Sequence, residues 1–219
     1  LRACGPRRLG LFLPYFPGAR QDRRPPGTPF TLSIYAEAIK RLGLDVVVTL
    51  DPHSDVLSAC LDVEIIHSFE AMPDVSGYDG FVVPDAGAEK RVHAAARALG
   101  VETIVYARKT RNTRTGALSG FRCEPLPVPG GRYLVVDDIC DGGGTFNGLA
   151  DVIHAGDRAR LDLWVTHGIF SKGFGALLSR FEHIYTTDSF PVAGDLPANV
   201  RRFDVHALAA NVMRRRISK

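Results

Sequence analysis

The residues of this chain best suited to chemistry run from Asp137 to Thr145, as Asp137-Asp138-Ile139-Cys140-Asp141-Gly142-Gly143-Gly144-Thr145. A hydrophobic run from Tyr133 to Val136 leads into two acids, a short acidic and glycine-rich loop follows, and Thr145 opens a helical pattern to about His154. Glycines ahead of a helix expose backbone N–H groups to a phosphate, and the helix N-terminus adds a favourable dipole. The carboxylates have the wrong charge for phosphate, so they should face ribose hydroxyls or Mg2+. Asp and Gly are common in ordinary turns between strand and helix, but three acids and three successive glycines exceed what a turn needs. A strand before and a helix after are the context that a phosphosugar-binding loop requires.

Four further segments follow predicted strands. Pro14 to about Pro29 is long for a connection in a compact α/β chain, and it holds Arg20, Arg23 and Arg24 with Tyr15 and Phe16. Arginine suits polyphosphate oxygens through its fixed fork of donors, while the two aromatics either meet a nucleobase or pack. Asp51-Pro52-His53 offers His and Asp donors to a nucleotide-bound Mg2+, or a satisfied loop histidine. In Pro84-Asp85-Ala86-Gly87, Asp85 either faces a metal or caps the helix that follows. The last segment, Arg108-Lys109-Thr110-Arg111-Asn112-Thr113-Arg114, is a basic, hairpin-like and mobile loop that could close over a transferring phosphoryl group, although such runs are more often solvated.

These segments need elements to hold them. Short β-branched runs predict strands at 9–14, 45–50, 63–66, 80–83, 101–106, 133–136, 161–166 and 183–186. Apolar residues at three- and four-residue spacing predict helices at 30–42, 88–99, 144–154, 174–181 and 205–216. The alternation predicts an α/β fold of mostly parallel sheets flanked by helices. Ligands then sit beyond the carboxyl ends of the strands, where every segment above falls. Pro73, Asp74, Ser76 and Gly77 break the pattern and suggest a domain boundary. Arg214-Arg215-Arg216 closes the last helix, where cations complement the dipole.

Composition sets limits. At 219 residues the chain buries roughly 70% of its unfolded surface and needs no staples. A net charge of +3 does not argue for nucleic acid. Cys4, Cys60, Cys123 and Cys140 form no paired motif, which suits a reducing cytoplasm and argues against zinc or a disulfide framework. No apolar run has membrane-spanning length. Leu1 to Gly5 reads as the frayed end of a helix that begins upstream.

Taken in order, the segments resemble those of the ribose-phosphate pyrophosphokinases. Members of that family carry, in sequence order, a YxRQD loop, a DxH segment, a PDxG segment, a KRR flexible loop, a DDxxDTGGT loop and a THxxFS segment. Here these are Gly18-Ala19-Arg20-Gln21-Asp22, Asp51-Pro52-His53, Pro84-Asp85-Ala86-Gly87, Lys109-Thr110-Arg111, Asp137 to Thr145, and Thr166-His167-Gly168-Ile169-Phe170-Ser171. The resemblance implies two tandem phosphoribosyltransferase-type domains: residues 1–68 as a partial ATP-binding domain, 69–190 carrying the ribose-phosphate loop, and 191–219 as a strand and helix packing back on the first. It also implies diphosphoryl transfer from MgATP to ribose 5-phosphate in a homo-oligomer, from dimer to hexamer. By matching residue, Arg20, Gln21, Asp22 and His53 would bind ATP, and His53 and Asp85 would serve Mg2+. Asp137 and Asp138 would hold the ribose hydroxyls, and Asp141, Gly142, Gly143, Gly144 and Thr145 would cradle the 5-phosphate. Lys109 and Arg111 would stabilise the transferring group.

The chain departs from the pattern. Gly18 stands where the family has Tyr, Thr110 where it has Arg, and Gly142 where it has Thr. The resemblance also leads us to expect a segment upstream of Leu1 that would complete the first domain. Ala86 to Lys90, Leu118 to Phe121 and Ser171 to Phe174 resemble a branch often found in phage genomes, some members of which act on the terminal ribose of ADP-ribose. A type I phosphoribosyltransferase would not need Arg20-Gln21-Asp22 or His53, and a non-catalytic relative would have lost Lys109 and Arg111.

Overall fold

The structure, a computed structural model, describes residues 5, 7–111, 118–192 and 194–217, and for 109–111 and 118–119 the backbone only. The predicted helix end at Leu1–Cys4 and the tip of the basic segment, 112–117, lie outside the described residues. The chain forms two units, residues 1–70 with 204–219, and residues 71–203.

In the first unit, strands β1 (Gly10–Leu13), β2 (Val46–Leu50) and β3 (Glu64–Ile66) make a parallel sheet in that order. Helix α1 (Thr31–Lys40) leads from β1 to β2 and buries Leu32, Ala36 and Ile39, one stripe at helical spacing. A five-residue helix, α2 (Val56–Cys60), leads to β3 and is too short to announce itself by periodicity. Helix α6 (His206–Ile217) packs on all three strands. Every residue of β2 is buried, as expected of a strand with both faces covered.

The second unit is built on seven strands: β4 (Gly80–Val83), β5 (Ile104–Arg111), β6 (Leu118–Cys123), β7 (Arg132–Cys140), β8 (Arg160–Gly168), β9 (His183–Thr187) and β10 (Val200–Phe203). Their order is β10-β9-β8-β7-β4-β5-β6, parallel throughout except for β6 against β5. Helix α3 (Glu89–Leu99) joins β4 to β5 and buries Val92, Ala95 and Ala96. It ends where Gly100 turns left-handed, at φ 72°. Helix α4 (Gly144–Gly156) joins β7 to β8 and buries Phe146, Leu149, Ala150 and Ile153.

Two expectations change here. The strand predicted to stop at Tyr106 runs on to Arg111 and pairs with β6, so the basic segment up to Arg111 is one arm of an antiparallel ribbon. Its polar residues hid it, because such a ribbon need not bury a continuous apolar face. The helix predicted over 174–181 is only α5 (Gly175–Leu178), hemmed in by Gly173 and the turn at Ser179–Arg180.

The strand order decides where a ligand can bind. From β4 the chain steps to β5 and β6, then returns to β4's other side as β7 and continues through β8, β9 and β10. The connections leave in opposite directions between β4 and β7, so a crevice opens at the carboxyl ends of these two strands. Asp85 follows β4, and Asp137 to Gly144 end β7.

Candidate active site

Asp137 and Asp138 stand on β7 itself, which extends to Cys140, beyond its predicted end at Val136. Asp137 is in register with Val165, and Cys140 with Gly168. The Asp138 amide donates to Asp137 Oδ1 at 2.9 Å. Arg91, in the first turns of α3, lies over both acids: its Nη1 is 3.7 Å from Asp137 Oδ1 and its Nη2 is 3.6 Å from Asp138 Oδ2. Burial holds the Asp137 carboxyl well above the usual range, repulsion from Asp138 and Asp85 pushes the same way, and Arg91 opposes both. Three carboxylates gather here, with Arg91 the cation that acts on Asp137. Hard oxygen donors so grouped fit Mg2+.

The Asp85 Oδ1 also accepts the amides of Gly87 (2.8 Å) and Ala88 (3.2 Å), a local turn that fixes the start of α3. Asp85 thus serves the local turn and also contributes its charge to the acid group.

Beyond the acids the backbone forms a cradle. Gly143 is left-handed at φ 75° and stands as the N-cap of α4. A Cβ there would meet Leu177 at 3.2 Å. The first amides of α4 have no acceptor inside the helix, so they point at whatever occupies the loop. Cys140 is buried beneath, accepts the Gly143 amide, and is pushed up to about 12 by burial and by Asp137 and Asp141. It is a packing residue and not a nucleophile.

The β8–α5 turn is tied to this cradle. Ile169 and Phe170 donate to the Cys140 carbonyl at 2.9 and 3.0 Å, and Ser171 donates to the Asp141 carbonyl at 3.1 Å. Phe170 takes φ 47°, an uncommon value for a bulky residue. His167 is buried with Nδ1 2.7 Å from Ser189 Oγ, which in turn donates to the Thr166 carbonyl.

In the first unit, the Pro14–Pro29 segment is irregular but anchored. Phe16 and Ala19 are buried, so Phe16 packs, while Arg20 and Gln21 are exposed and Asp22 is half-buried. Gln21 donates its amide to Gly18 and accepts from Leu32. Gly18 has φ 72°, and a Cβ there would meet Thr31 and the Leu32 amide nitrogen at 3.1–3.2 Å. This accounts for glycine where the family pattern has tyrosine. His53 is exposed after Asp51, which is buried at φ 36° and donates its amide to Ile66. Such an outlier at a strand end is where functional sites store strain.

The second unit therefore brings Asp85 and residues 137–145 together. Arg20, Gln21, Asp22 and His53 belong to the first unit, and Lys109 and Arg111 lie on β5 with backbone alone described. Sequence reasoning gave Arg91 no role. The available signal was its place near the start of a helix that follows an acid-bearing strand end.

The other end of the sheet carries a different charge cluster. Asp162 is fully buried and accepts from Arg132 Nη2 (2.6 Å), Arg132 Nε (3.1 Å), the Tyr78 hydroxyl (2.5 Å) and the His183 amide (2.9 Å). Glu182 and His183 bring donor atoms within 4.8 Å of it. Its charge is already met by Arg132, so this is a lock between strand starts.

A ribose-phosphate pyrophosphokinase of Mesorhizobium japonicum is 31% identical over 230 aligned positions, covering 95% of this chain and 71% of the relative. One from Granulibacter bethesdensis is 30% identical, covering 98% of this chain and 73% of the relative. The chain belongs to the ribose-phosphate pyrophosphokinase family. No protein-family model matches it. The phosphoribosylpyrophosphate synthetase structure from Mycobacterium smegmatis superposes with a TM-score of 0.78 over 97% of this chain and 72% of that one, at 23% identity, which establishes the likeness of fold. Membership makes the chain an enzyme of the transferase type. Among the described residues no helix is long and apolar enough to cross a membrane.

Proposed function

We propose that this pyrophosphokinase transfers the β,γ-diphosphoryl group of MgATP to the C1 hydroxyl of ribose 5-phosphate, giving 5-phosphoribosyl diphosphate and AMP. The observation that carries the reading is the Asp137–Asp138 pair on the end of β7, running directly into a Cβ-poor cradle at the N-terminus of α4. Two carboxylates accept from two neighbouring ribose hydroxyls, and the cradle amides receive the 5-phosphate. The ribose is then clamped at both ends, with C1 directed out of the crevice.

In this reaction the C1 oxygen forms a bond to the β-phosphorus of ATP. The bond from that phosphorus to the oxygen bridging the α- and β-phosphates breaks, AMP leaves with the electron pair, and the hydroxyl proton is released. Little covalent chemistry falls to the protein, so its work is positioning and charge stabilisation. Arg20, Gln21, Asp22 and His53 bind ATP, and Lys109 and Arg111 on the β5 arm meet the transferring group. By the family pattern Asp85 and His53 would each serve Mg2+, which when bound neutralises phosphate charge. The family relationship also supports a homo-oligomer working in the cytoplasm.

Gly142 favours a second acceptor. A cradle without a side chain at 142 is bordered there only by the flexible Lys172 stem, which can yield to an esterified phosphate, so ADP-ribose could present its terminal ribose in the same way. Measurement of AMP release from ATP, with ribose 5-phosphate and ADP-ribose tried in parallel, tests the proposal. Release with the first supports the main reading, release with the second alone selects the alternative, and none with either overturns both.

A further inference from the structure

The acids at the end of β7 create a problem for phosphate binding. A 5-phosphate in the α4 cradle sits beside Asp141, with Asp137 and Asp138 close in sequence and on the same strand end. Helix dipole and amides offset this only in part, since a helix terminus contributes roughly half a charge. Arg91 is committed to Asp137 and Asp138.

Lys172 meets this need. The turn that carries it is bound to the cradle by the three hydrogen bonds from Ile169, Phe170 and Ser171, and closed by the Gly173 amide on the Phe170 carbonyl at 2.8 Å. Phe170 holds its left-handed backbone within that turn and packs on Phe174, with ring centroids 4.6 Å apart. The result lays the Lys172 stem along Gly142: a Cβ at Gly142 would stand 3.4 Å from Lys172 Cε, 3.5 Å from Cδ and 3.8 Å from Cγ. The stem thus borders the space that a larger residue at 142 would use. Lys172 is exposed, and it has no ion-pair partner among the described residues. An unpaired ammonium whose stem lies beside the acidic loop is suited to an anion that arrives as substrate.

We propose that Lys172 is the cationic partner of the acceptor's 5-phosphate, replacing with a charge the side-chain donor that Gly142 cannot provide. This rests on the reading of residues 141–145 as the acceptor phosphate cradle. The ligand chemistry is a ribose carrying a 5-phosphate, whether as a monoester or as a diphosphate ester. A compact ammonium on a flexible stem suits either, because it acts as a point charge and not as a shaped fork.

Calorimetric titration of ribose 5-phosphate and of ADP-ribose into the intact chain, without ATP, reads this contact independently of turnover. Lys172→Met keeps the apolar stem and removes only the charge. It should weaken binding of at least one acceptor by ~10-fold or more, the size of a lost charge-assisted contact. Lys172→Arg should bind within ~3-fold of the parent, since the charge is kept. The acceptor with the larger loss is the one whose phosphate Lys172 meets. In turnover the loss should appear in KM, with kcat changed by less than ~3-fold, as for uniform binding. Binding of both acceptors by Lys172→Met within ~2-fold of the parent would overturn the proposal, as would a parent chain that binds neither. If the parent binds an acceptor but releases no AMP, the diphosphokinase reading fails while the Lys172 contact is still decided by the titration.

Discussion

Arg91 Nη2 lies 3.6 Å from Asp138 Oδ2 while its Nη1 lies 3.7 Å from Asp137 Oδ1, so a single guanidinium spans the acid pair. The side chains involved are nearly buried, 10% exposed for Arg91 and 13% and 6% for the acids. At these separations the contacts are ionic and longer than good hydrogen bonds. Arg91 thus opposes, without overcoming, the burial and neighbouring charge that favour the protonated Asp137 carboxyl.

Removing this cation should cost both stability and activity. Arg91→Ala leaves two buried acids uncompensated and should destabilise the chain by about 2–4 kcal/mol at neutral pH. Acceptor kcat/KM should fall by ~10²-fold or more, and Arg91→Lys should rescue little, because a point charge cannot span both acids. Thermal melts and steady-state kinetics check this, and near-normal acceptor kinetics in Arg91→Ala would remove Arg91 from the site.

Asp137 should trade stability for function. Its carboxyl is raised from the ordinary 3.8, so the folded chain holds that proton more tightly than the unfolded one. No penalty exists below the unfolded value, and the penalty grows as pH rises through the raised folded value. Asp137→Asn should therefore increase Tm at pH 7–8 by about 2–4 °C, the response of a chain this size to 1 kcal/mol. The gain should vanish below about pH 4, where both forms are neutral. Acceptor turnover should collapse. A variant that melts lower than the parent at pH 8 would contradict this account.

A side chain at Gly18 should be costly. Its φ of 72° strains any L residue, and a Cβ would crowd Thr31 and Leu32 at 3.1–3.2 Å. Gly18→Ala should cost about 1–3 kcal/mol through left-handed strain and crowding. Because Gln21 hydrogen-bonds to Gly18, the KM for ATP should rise as well. An unchanged ATP KM would detach this turn from nucleotide binding.

Lys109 on the β5 arm should act on the rate. Lys109→Ala should lower kcat by at least ~10²-fold, the scale of losing one preorganised charge at a transition state, while acceptor affinity barely changes. Turnover within a few-fold of the parent would exclude this residue from catalysis.

Much of the site is legible in the chain's order alone. Acids and glycines between a buried strand and an amphipathic helix announce a strand-to-helix turn poor in Cβ atoms, the backbone that a phosphosugar loop would need. The alternation of buried runs and helical stripes likewise announces parallel sheets, since period and burial are local properties. Polar segments conceal their structure, as with the β5–β6 ribbon, where no apolar face repeats. Very short elements such as α2 hide for want of a full period.

By itself, the sequence determined the chemistry on offer: which acids, cations and glycines exist, and in what order along the strand ends. Only the tertiary structure decided their partners. Arg91 meets Asp137 and Asp138 because β4 and β7, remote in the chain, are neighbours in the sheet. Lys172 lies along Gly142 because β7 pairs with β8 and the following turn folds back onto the loop. The physical reason is that charge pairing and steric access depend on distances of a few ångströms between residues remote in the chain, and pairing register sets those distances.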